Sequence, residues 1–167
     1  IDKLRYAQEF YDLYRIDHAI GMFRIWTIPM SEPLENGGRN GAFDPPDESV
    51  WDEHGSRILS VILANTRMLP CAEDLGVVPA CSAPALRRFG LPGMDIQRWL
   101  RDSASQDRIV RPEEYRTNAI ATLSTHDMQP VARWWAELPE REKGEFTGYF
   151  GLSAEEARNP ASVVRAA

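Results

Sequence analysis

Cysteine is scarce in this sequence, which contains only Cys71 and Cys81 among its 167 residues. Two cysteines make a poor disulfide framework, so we expect a reducing, cytoplasmic compartment. No apolar run approaches the about 20 residues of a membrane-spanning helix, and the first residues lack the pattern of a signal peptide. The sequence therefore predicts no membrane partner.

Positively charged residues are also fewer than negatively charged ones. The sequence has 19 lysines and arginines and 25 aspartates and glutamates, which gives a net charge of −6. A protein that binds nucleic acid usually presents a basic face, so we expect no nucleic-acid partner. The length suits one domain. The chain enters a helical pattern at Ile1 and is still in one at Ala167, which leads us to expect a piece of a longer protein.

The spacing of apolar residues predicts helices that alternate with strands. Short apolar runs predict the strands Tyr14–Asp17, Met68–Ala72, Met94–Gln97 and Asn118–Ser124. Helical spacing predicts the helices Asp2–Leu13, Ser49–Thr66, Pro79–Phe89 and those that follow Pro130, while Trp99–Pro112 is polar and irregular. This alternation is typical of βα units in a parallel sheet, so the predicted class is α/β.

A stretch at about 30–50 is rich in proline, glycine, asparagine and acids, and it predicts a loop insertion. Loops of this length are commonly binding loops or lids, and others are mobile surface insertions. The sequence leaves both interpretations open.

The segment Arg15-Ile16-Asp17-His18 ends the first predicted strand. Side chains alternate along a strand, so Arg15 and Asp17 point to the same face. A guanidinium beside a carboxylate keeps it ionised and oriented, as a nucleophile requires. A structural ion pair explains the same two residues, and this segment alone favours that interpretation.

Polar residues follow two later strands as well. Glu73 and Asp74 come after the second predicted strand, and His126 and Asp127 follow the fourth. Active sites of parallel α/β folds form at the carboxyl ends of strands, so three polar sites in this position indicate one shared site.

Two chemistries fit these residues. In a retaining glycosidase one carboxylate is the nucleophile and a second, about 5 Å away, is the acid/base. Asp17 suits the first role, and we expect partial burial to raise the pKa of Glu73 toward that of a proton donor. The alternative is a divalent-metal phosphohydrolase, with ligands drawn from Asp17, His18, Asp74, His126 and Asp127.

Four motifs in this order resemble the 4-α-glucanotransferases, which are also called amylomaltases or disproportionating enzymes, of glycoside hydrolase family 77. They are Arg15-Ile16-Asp17-His18, Ala72-Glu73-Asp74-Leu75-Gly76, Gly90-Leu91-Pro92-Gly93-Met94 and Thr125-His126-Asp127. The resemblance covers about residues 1–150. It implies transfer of an α-1,4-glucan segment from a maltooligosaccharide donor to a glucose or glucan acceptor, through a covalent glycosyl-enzyme and without a cofactor.

The resemblance also implies roles for single residues. Asp17 is then the nucleophile, Glu73 the acid/base and Asp127 the transition-state stabiliser. Arg15 orients Asp17, and His126 binds the sugar at the cleavage point. The remaining motif positions that we assign to substrate binding are His18, Asp74, Pro92 and Gly93.

The implied fold is a (β/α)₈ TIM barrel, of which this chain offers about strands 4 to 7 with their helices. A complete barrel needs about 250 residues, so the barrel segment is incomplete. Exposed strand edges invite pairing with a second copy, and we expect the isolated chain to have little or no activity. A fragment that holds maltodextrin without turning it over stays open as an alternative.

Overall fold

The computed structural model describes residues 1–102 and 108–166, which form a mixed α/β fold. The chain divides into two compact units, Ile1–Met94 and Asp95–Ala167. None of the helices in the described residues is both long enough and apolar enough to cross a membrane.

The first unit contains three α-helices and four complete strands. In chain order they are α1 (Asp2–Ala7), β1 (Leu13–Ile16), β2 (Ile25–Thr27), β3 (Ala42–Asp44), α2 (Trp51–Leu63), β4 (Leu69–Ala72) and α3 (Ser82–Arg88). Strand β5 (Gly93–Ile96) begins at the end of this unit. Helix α3 ends where Gly90 adopts a positive φ of 68°, a conformation that glycine enters without steric cost.

Strands β1 and β4 pair in parallel, as the strand–helix alternation predicts. Leu13 lies opposite Leu69, and Ile16 lies opposite Ala72. Two parallel strands in register end together, so the residues that follow them, Asp17 and Glu73, emerge at the same edge.

The core of the first unit lies between α2, α3 and the ends of β1 and β4. Its buried residues are Ala19, Phe23, Trp51, Leu59, Ala72, Ala85, Leu86 and Leu91. The ring of Phe23 packs directly against the backbone of Gly55 in α2, so a side chain at that glycine would collide with it.

The predicted loop at about 30–50 contains regular structure. Strand β3 pairs antiparallel with β2, with Trp26 opposite Phe43. Phe43 fixes this hairpin to the first residue of α2, because its ring lies 5.5 Å from that of Trp51 and 3.7 Å from the Arg24 guanidinium carbon. Sequence analysis missed β3 because turn-forming residues dominate this stretch. A strand of three residues is also too short to show an alternating apolar pattern.

The second unit begins within β5, which pairs with β8 (Ala119–Thr122). Its other elements are β6 (Arg101–Asp102), β7 (Arg108–Ile109), α4 (Val131–Glu137), α5 (Glu140–Phe150) and α6 (Pro160–Ala166). Ile109, Trp134, Trp135, Leu138, Phe146 and Val163 form its core. Of the predicted irregular stretch Trp99–Pro112, residues 103–107 lie outside the described residues, as does residue 167 of the last predicted helix.

The α/β class is confirmed in its coarse form. Within the described ranges 1–102 and 108–166, the strands form four two-stranded pairs, β1–β4, β2–β3, β5–β8 and β6–β7. The pairing does not extend to the continuous wall of a barrel, so a barrel segment stays a prediction.

Candidate active site

One guanidinium nitrogen of Arg15 holds two carboxylates at the ends of β1 and β4. Arg15 Nη2 donates to Asp17 Oδ1 at 2.6 Å and lies 2.7 Å from Glu73 Oε2. The pair of Arg15 with Asp17 follows from strand alternation. The contact with Glu73 follows from the parallel register of the two strands.

The two carboxylates lie close together at the strand ends. Since both oxygens contact the same nitrogen, they cannot be farther apart than the two ion-pair distances laid end to end. The two oxygens therefore lie within the about 5–5.5 Å that separates the carboxylates of retaining glycosidases. A nucleophile and an acid/base can both be drawn from these two strand ends.

Glu73 is the more firmly held of the two acids. The His18 backbone N–H donates to Glu73 Oε2 at 2.8 Å. The backbone N–H of Glu73 donates to the Ile16 carbonyl, and the Glu73 carbonyl accepts from Ala19, each at 3.0 Å. The side chain of Glu73 is 13% exposed, whereas that of Asp17 is 64% exposed and open to a ligand.

The pKa of Glu73 moves in the opposite direction to our expectation. Burial raises this pKa, as predicted, but the His18 N–H, the Arg15 guanidinium and a hydrogen bond with Asp17 together outweigh burial and lower it below the usual 4.5. The prediction of a raised pKa was wrong because it omitted two donors that only the folded backbone brings to Glu73.

His18 contributes through its backbone in a way that the sequence does not reveal. Its φ of 46° is the one positive value among the described non-glycine residues. This left-handed conformation turns the chain after β1 and directs the His18 N–H at Glu73. Sequence analysis selected His18 for its imidazole and missed its amide.

Three of the residues predicted to bind substrate take part in backbone contacts next to β4. Asp74 Oδ1 accepts from the Met94 N–H at 2.9 Å. The Ala72 N–H donates to the Pro92 carbonyl at 2.8 Å, and the Cys71 thiol donates to the Gly93 carbonyl at 3.4 Å. Pro92 and Gly93 are buried, and Asp74 is half-buried. These contacts fix the start of β5, and the predicted sugar contacts of all three residues stay predictions.

The second unit carries the other two predicted site residues on an exposed turn after β8. His126 Nε2 lies 3.2 Å from Asp127 Oδ1, and the two side chains are 58% and 64% exposed. The structure thus brings Arg15, Asp17, His18 and Glu73 together in the first unit, and His126 and Asp127 together in the second.

Ligand geometry does not favour the metal-dependent alternative. Among residues 1–102 and 108–166, no group of three or more histidine, cysteine, aspartate or glutamate side chains is arranged to hold a metal ion. The Asp17 and Glu73 carboxylates are instead occupied by a guanidinium.

Comparison with known proteins identifies relatives along the whole chain. The sequence profile of the 4-alpha-glucanotransferase family matches residues 1–167. The chain is 38% identical over 150 residues to the 4-alpha-glucanotransferase of Chlamydia caviae, covering 90% of this chain and 27% of that protein. It is 26% identical over 156 residues to the chloroplastic enzyme of Arabidopsis thaliana, covering 93% of this chain and 25% of that protein. The chain thus spans about a quarter of the length of these relatives.

Solved amylomaltase structures resemble the fold. The amylomaltase of Streptococcus agalactiae, solved in complex with acarbose, matches 99% of this chain and 31% of its own with a TM-score of 0.70 and 23% identity. The amylomaltase of Corynebacterium glutamicum matches 95% of this chain and 20% of its own with a TM-score of 0.60 and 26% identity. With a family profile that matches every residue, this chain belongs to the 4-alpha-glucanotransferase family.

Proposed function

We propose that this chain supplies the catalytic acids of a 4-α-glucanotransferase that works by a retaining double displacement. The observation that carries the proposal is the Arg15 guanidinium, which contacts both the Asp17 and the Glu73 carboxylate where β1 and β4 end and so places two acids side by side, as a nucleophile and an acid/base require. Family membership supports the same reaction. The chain spans about a quarter of the length of its relatives. We therefore expect the full-length polypeptide to supply further residues of the active site.

In the first step Asp17 attacks the anomeric carbon of the donor glucan. The glycosidic bond breaks, Glu73 gives a proton to the departing 4-oxygen, and a glucosyl ester forms on Asp17. In the second step the 4-hydroxyl of an acceptor sugar attacks the same carbon while Glu73 takes its proton. Asp17 is released, and an α-1,4 bond has moved from donor to acceptor with retained configuration.

The lowered pKa of Glu73 fits this cycle if the substrate changes its surroundings. Burial already raises the pKa, and the His18 N–H, the Arg15 guanidinium and the hydrogen bond with Asp17 together lower it. A leaving-group oxygen that enters between Glu73 and Arg15 weakens one of those contacts. That loss raises the pKa of Glu73 and favours the protonated form that donates to the leaving group.

The remaining predicted residues complete the substrate contacts. We assign transition-state stabilisation to Asp127 and sugar binding to His126, whose exposed side chains suit a ligand. His18 and Asp74 follow the ends of β1 and β4 beside Glu73, and Pro92 and Gly93 lie at the buried start of β5. We assign all four residues to substrate binding. The partners of the reaction are an α-1,4-glucan or maltooligosaccharide donor and a glucose or glucan acceptor.

For the fold we propose a segment of a (β/α)₈ barrel that holds about strands 4 to 7. The parallel pairing of β1 with β4 and the likeness to amylomaltase structures support this arrangement. The acids then lie at the carboxyl ends of the strands, where barrel enzymes carry their chemistry.

Two variants of the full-length polypeptide that carries this sequence, Asp17→Asn and Glu73→Gln, test the proposal. The measurement is transfer from two donors, maltotriose and α-maltosyl fluoride. Asp17→Asn should lose transfer from both maltotriose and α-maltosyl fluoride, because an amide cannot form the glucosyl ester. Glu73→Gln should lose transfer from maltotriose but keep measurable release of fluoride, which needs little protonation.

Near-normal transfer by Asp17→Asn would disprove the nucleophile assignment. Fluoride release that falls as far in Glu73→Gln as in Asp17→Asn would remove Glu73 from the acid role. Saturable maltodextrin binding by the unmodified protein, without any product, would favour the binding-module alternative.

A further inference from the structure

Arg98 is a buried arginine that contacts both ends of the turn carrying His126 and Asp127. We name residues 124–129 the His126 loop. Arg98 Nη1 donates to Ser124 Oγ and to the Gln129 carbonyl, each at 3.0 Å. Ser124 and Gln129 are the first and last residues of the loop, so one guanidinium nitrogen closes it.

The same guanidinium also contacts the helix that follows the loop. Its central carbon lies 4.5 Å from the ring centroid of Trp134 in α4, a buried residue of the second core. A cation over an indole face is attracted to it, and the planar guanidinium can stack while its edges donate hydrogen bonds. Arg98 therefore couples the loop ends to a fixed element of the unit.

Stability alone explains this arrangement poorly. Arg98 is only 3% exposed. Within the described part of the chain it forms no ion pair with a carboxylate, and its Nε has no hydrogen-bond partner. Burying a cation without an opposite charge is costly, and burial accordingly lowers the pKa of Arg98. An apolar side chain of similar length would fill the same place without that cost.

Internal contacts give the loop a defined shape between its fixed ends. Thr122 Oγ1 donates to the Ser124 carbonyl at 3.1 Å, and the Met128 N–H donates to the Thr125 carbonyl at 3.3 Å. His126 and Asp127 lie at the exposed tip of this turn. A shift of either loop end therefore moves the Asp127 carboxylate.

We propose that Arg98 is a positioning residue for Asp127, and the assignment rests on the transfer reaction proposed above. By fixing Ser124 and Gln129 against Trp134, Arg98 sets where the Asp127 carboxylate meets the substrate. A group that stabilises a transition state must be held within about 0.5 Å of its productive place. A displacement of about 1 Å costs roughly 100-fold in rate.

Arg98→Lys in the full-length polypeptide tests this role, because lysine keeps the charge but cannot serve both loop ends and stack on Trp134. We expect kcat for maltotriose disproportionation to fall about 10- to 100-fold while KM stays within about threefold. Arg101→Lys is the matched control. Arg101 contacts Glu142 and the carbonyls of Arg98 and Leu100 but no residue of the His126 loop, so its kcat should stay within about twofold.

Ser124→Ala provides a second variant, which keeps the charge of Arg98 and removes one of its two loop contacts. Its kcat should fall several-fold with an unchanged melting temperature. If Arg98→Lys does not fold, the result for Ser124→Ala decides whether the inference holds. A double-mutant cycle with Asp127→Ala, followed with α-maltosyl fluoride, adds a readout that a merely structural role would not move. If Arg98 acts through Asp127, adding Arg98→Lys to the Asp127→Ala variant should lower its remaining rate by less than about twofold.

Unchanged kcat in Arg98→Lys or Ser124→Ala would overturn the inference. The inference would also fail if the rate losses of Arg98→Lys and Asp127→Ala were additive in the cycle. It would fail too if Arg98→Lys raised KM and left kcat unchanged. If Asp127→Ala abolishes transfer while Arg98→Lys does not affect it, only the role of Arg98 fails. If Asp17→Asn and Asp127→Ala both retain transfer, the proposed function itself fails.

Discussion

Arg15 shows, at the scale of one residue, how much of the site the sequence reveals. Alternation along a strand predicts its pairing with Asp17, and the 2.6 Å contact confirms that pair. The contact with Glu73 joins residues 58 positions apart and depends on the register of β1 against β4. No local pattern encodes that register, so sequence reasoning found both carboxylates and the pairing of Arg15 with Asp17, but not the contact of Arg15 with Glu73.

Glu73 leads to a prediction about acid stability. Its pKa is lowered in the folded chain from the usual 4.5, so the unfolded state binds more protons at pH values near and below that value. The stabilisation is therefore present above about pH 4.5 and is lost as the pH falls through the folded pKa. Glu73→Gln should be less stable than the parent at pH 7, on the order of 1 kcal/mol, because it loses its charge toward Arg15 and the His18 N–H.

Urea unfolding of both proteins between pH 7 and pH 3 measures this effect. The stability difference should shrink as the pH falls below about 4.5. Glu9→Gln is the control, since the Glu9–Arg67 pair is exposed and 3.4 Å long, and its change should stay below about 0.5 kcal/mol. A difference between Glu73→Gln and the parent that is constant across the pH range would contradict the assigned origin of the pKa shift.

At the scale of elements, helix α2 depends on a glycine that helix propensity disfavours. Gly55 lies in the middle of α2, where alanine would ordinarily stabilise by about 1 kcal/mol. The Phe23 ring occupies the space that a Cβ would need. Phe23 is fully buried, so it cannot move aside without opening the core.

We therefore expect Gly55→Ala to destabilise the first unit by roughly 1–2 kcal/mol, because overpacking outweighs the gain in propensity. Gly144→Ala in α5 is the matched control. Among the residues that the structure describes, a Cβ at Gly144 meets no atom within 4 Å beyond its chain neighbours and its own helix backbone, so this variant should gain roughly 0.5–1 kcal/mol. Thermal unfolding measures both, and a rise in melting temperature for Gly55→Ala would refute the packing argument.

Helix α1 shows where periodicity predicts too much. Apolar spacing extends to Leu13, but the helix ends at Ala7 and buries none of its side chains. Tyr6, Phe10 and Tyr11 remain largely exposed. Short helices are marginal without a packed face, so α1 is shorter than the apolar pattern that predicts it. The hairpin β2–β3 is the opposite case, because contacts of Phe43 with Trp51 and Arg24 stabilise strands that composition does not indicate.

At the scale of the whole molecule, the chain holds its predicted acids in two separately packed units. Asp17 and Glu73 belong to the first unit and Asp127 to the second. Composition and strand order predicted the α/β class, and they predicted that each of the three acids follows a strand. They also predicted parallel pairing, which β1–β4 confirms, but not the register or the antiparallel pairs β2–β3 and β6–β7, because these depend on long-range contacts that local sequence does not specify. Self-association through exposed strand edges stays a prediction for the same reason.

Catalysis by the 167-residue chain alone is the property most sensitive to this organisation. Asp17 is 64% exposed, and bulk water around a carboxylate weakens its attack on an anomeric carbon. The chain also spans about a quarter of the length of its relatives, and we expect most of the contacts that hold a donor glucan to come from the remainder of the full-length polypeptide. We therefore expect the purified chain to release no detectable glucose from maltotriose, under conditions where the full-length polypeptide does. Release at a comparable rate, abolished by Asp17→Asn, would mean that these two units alone form the active site.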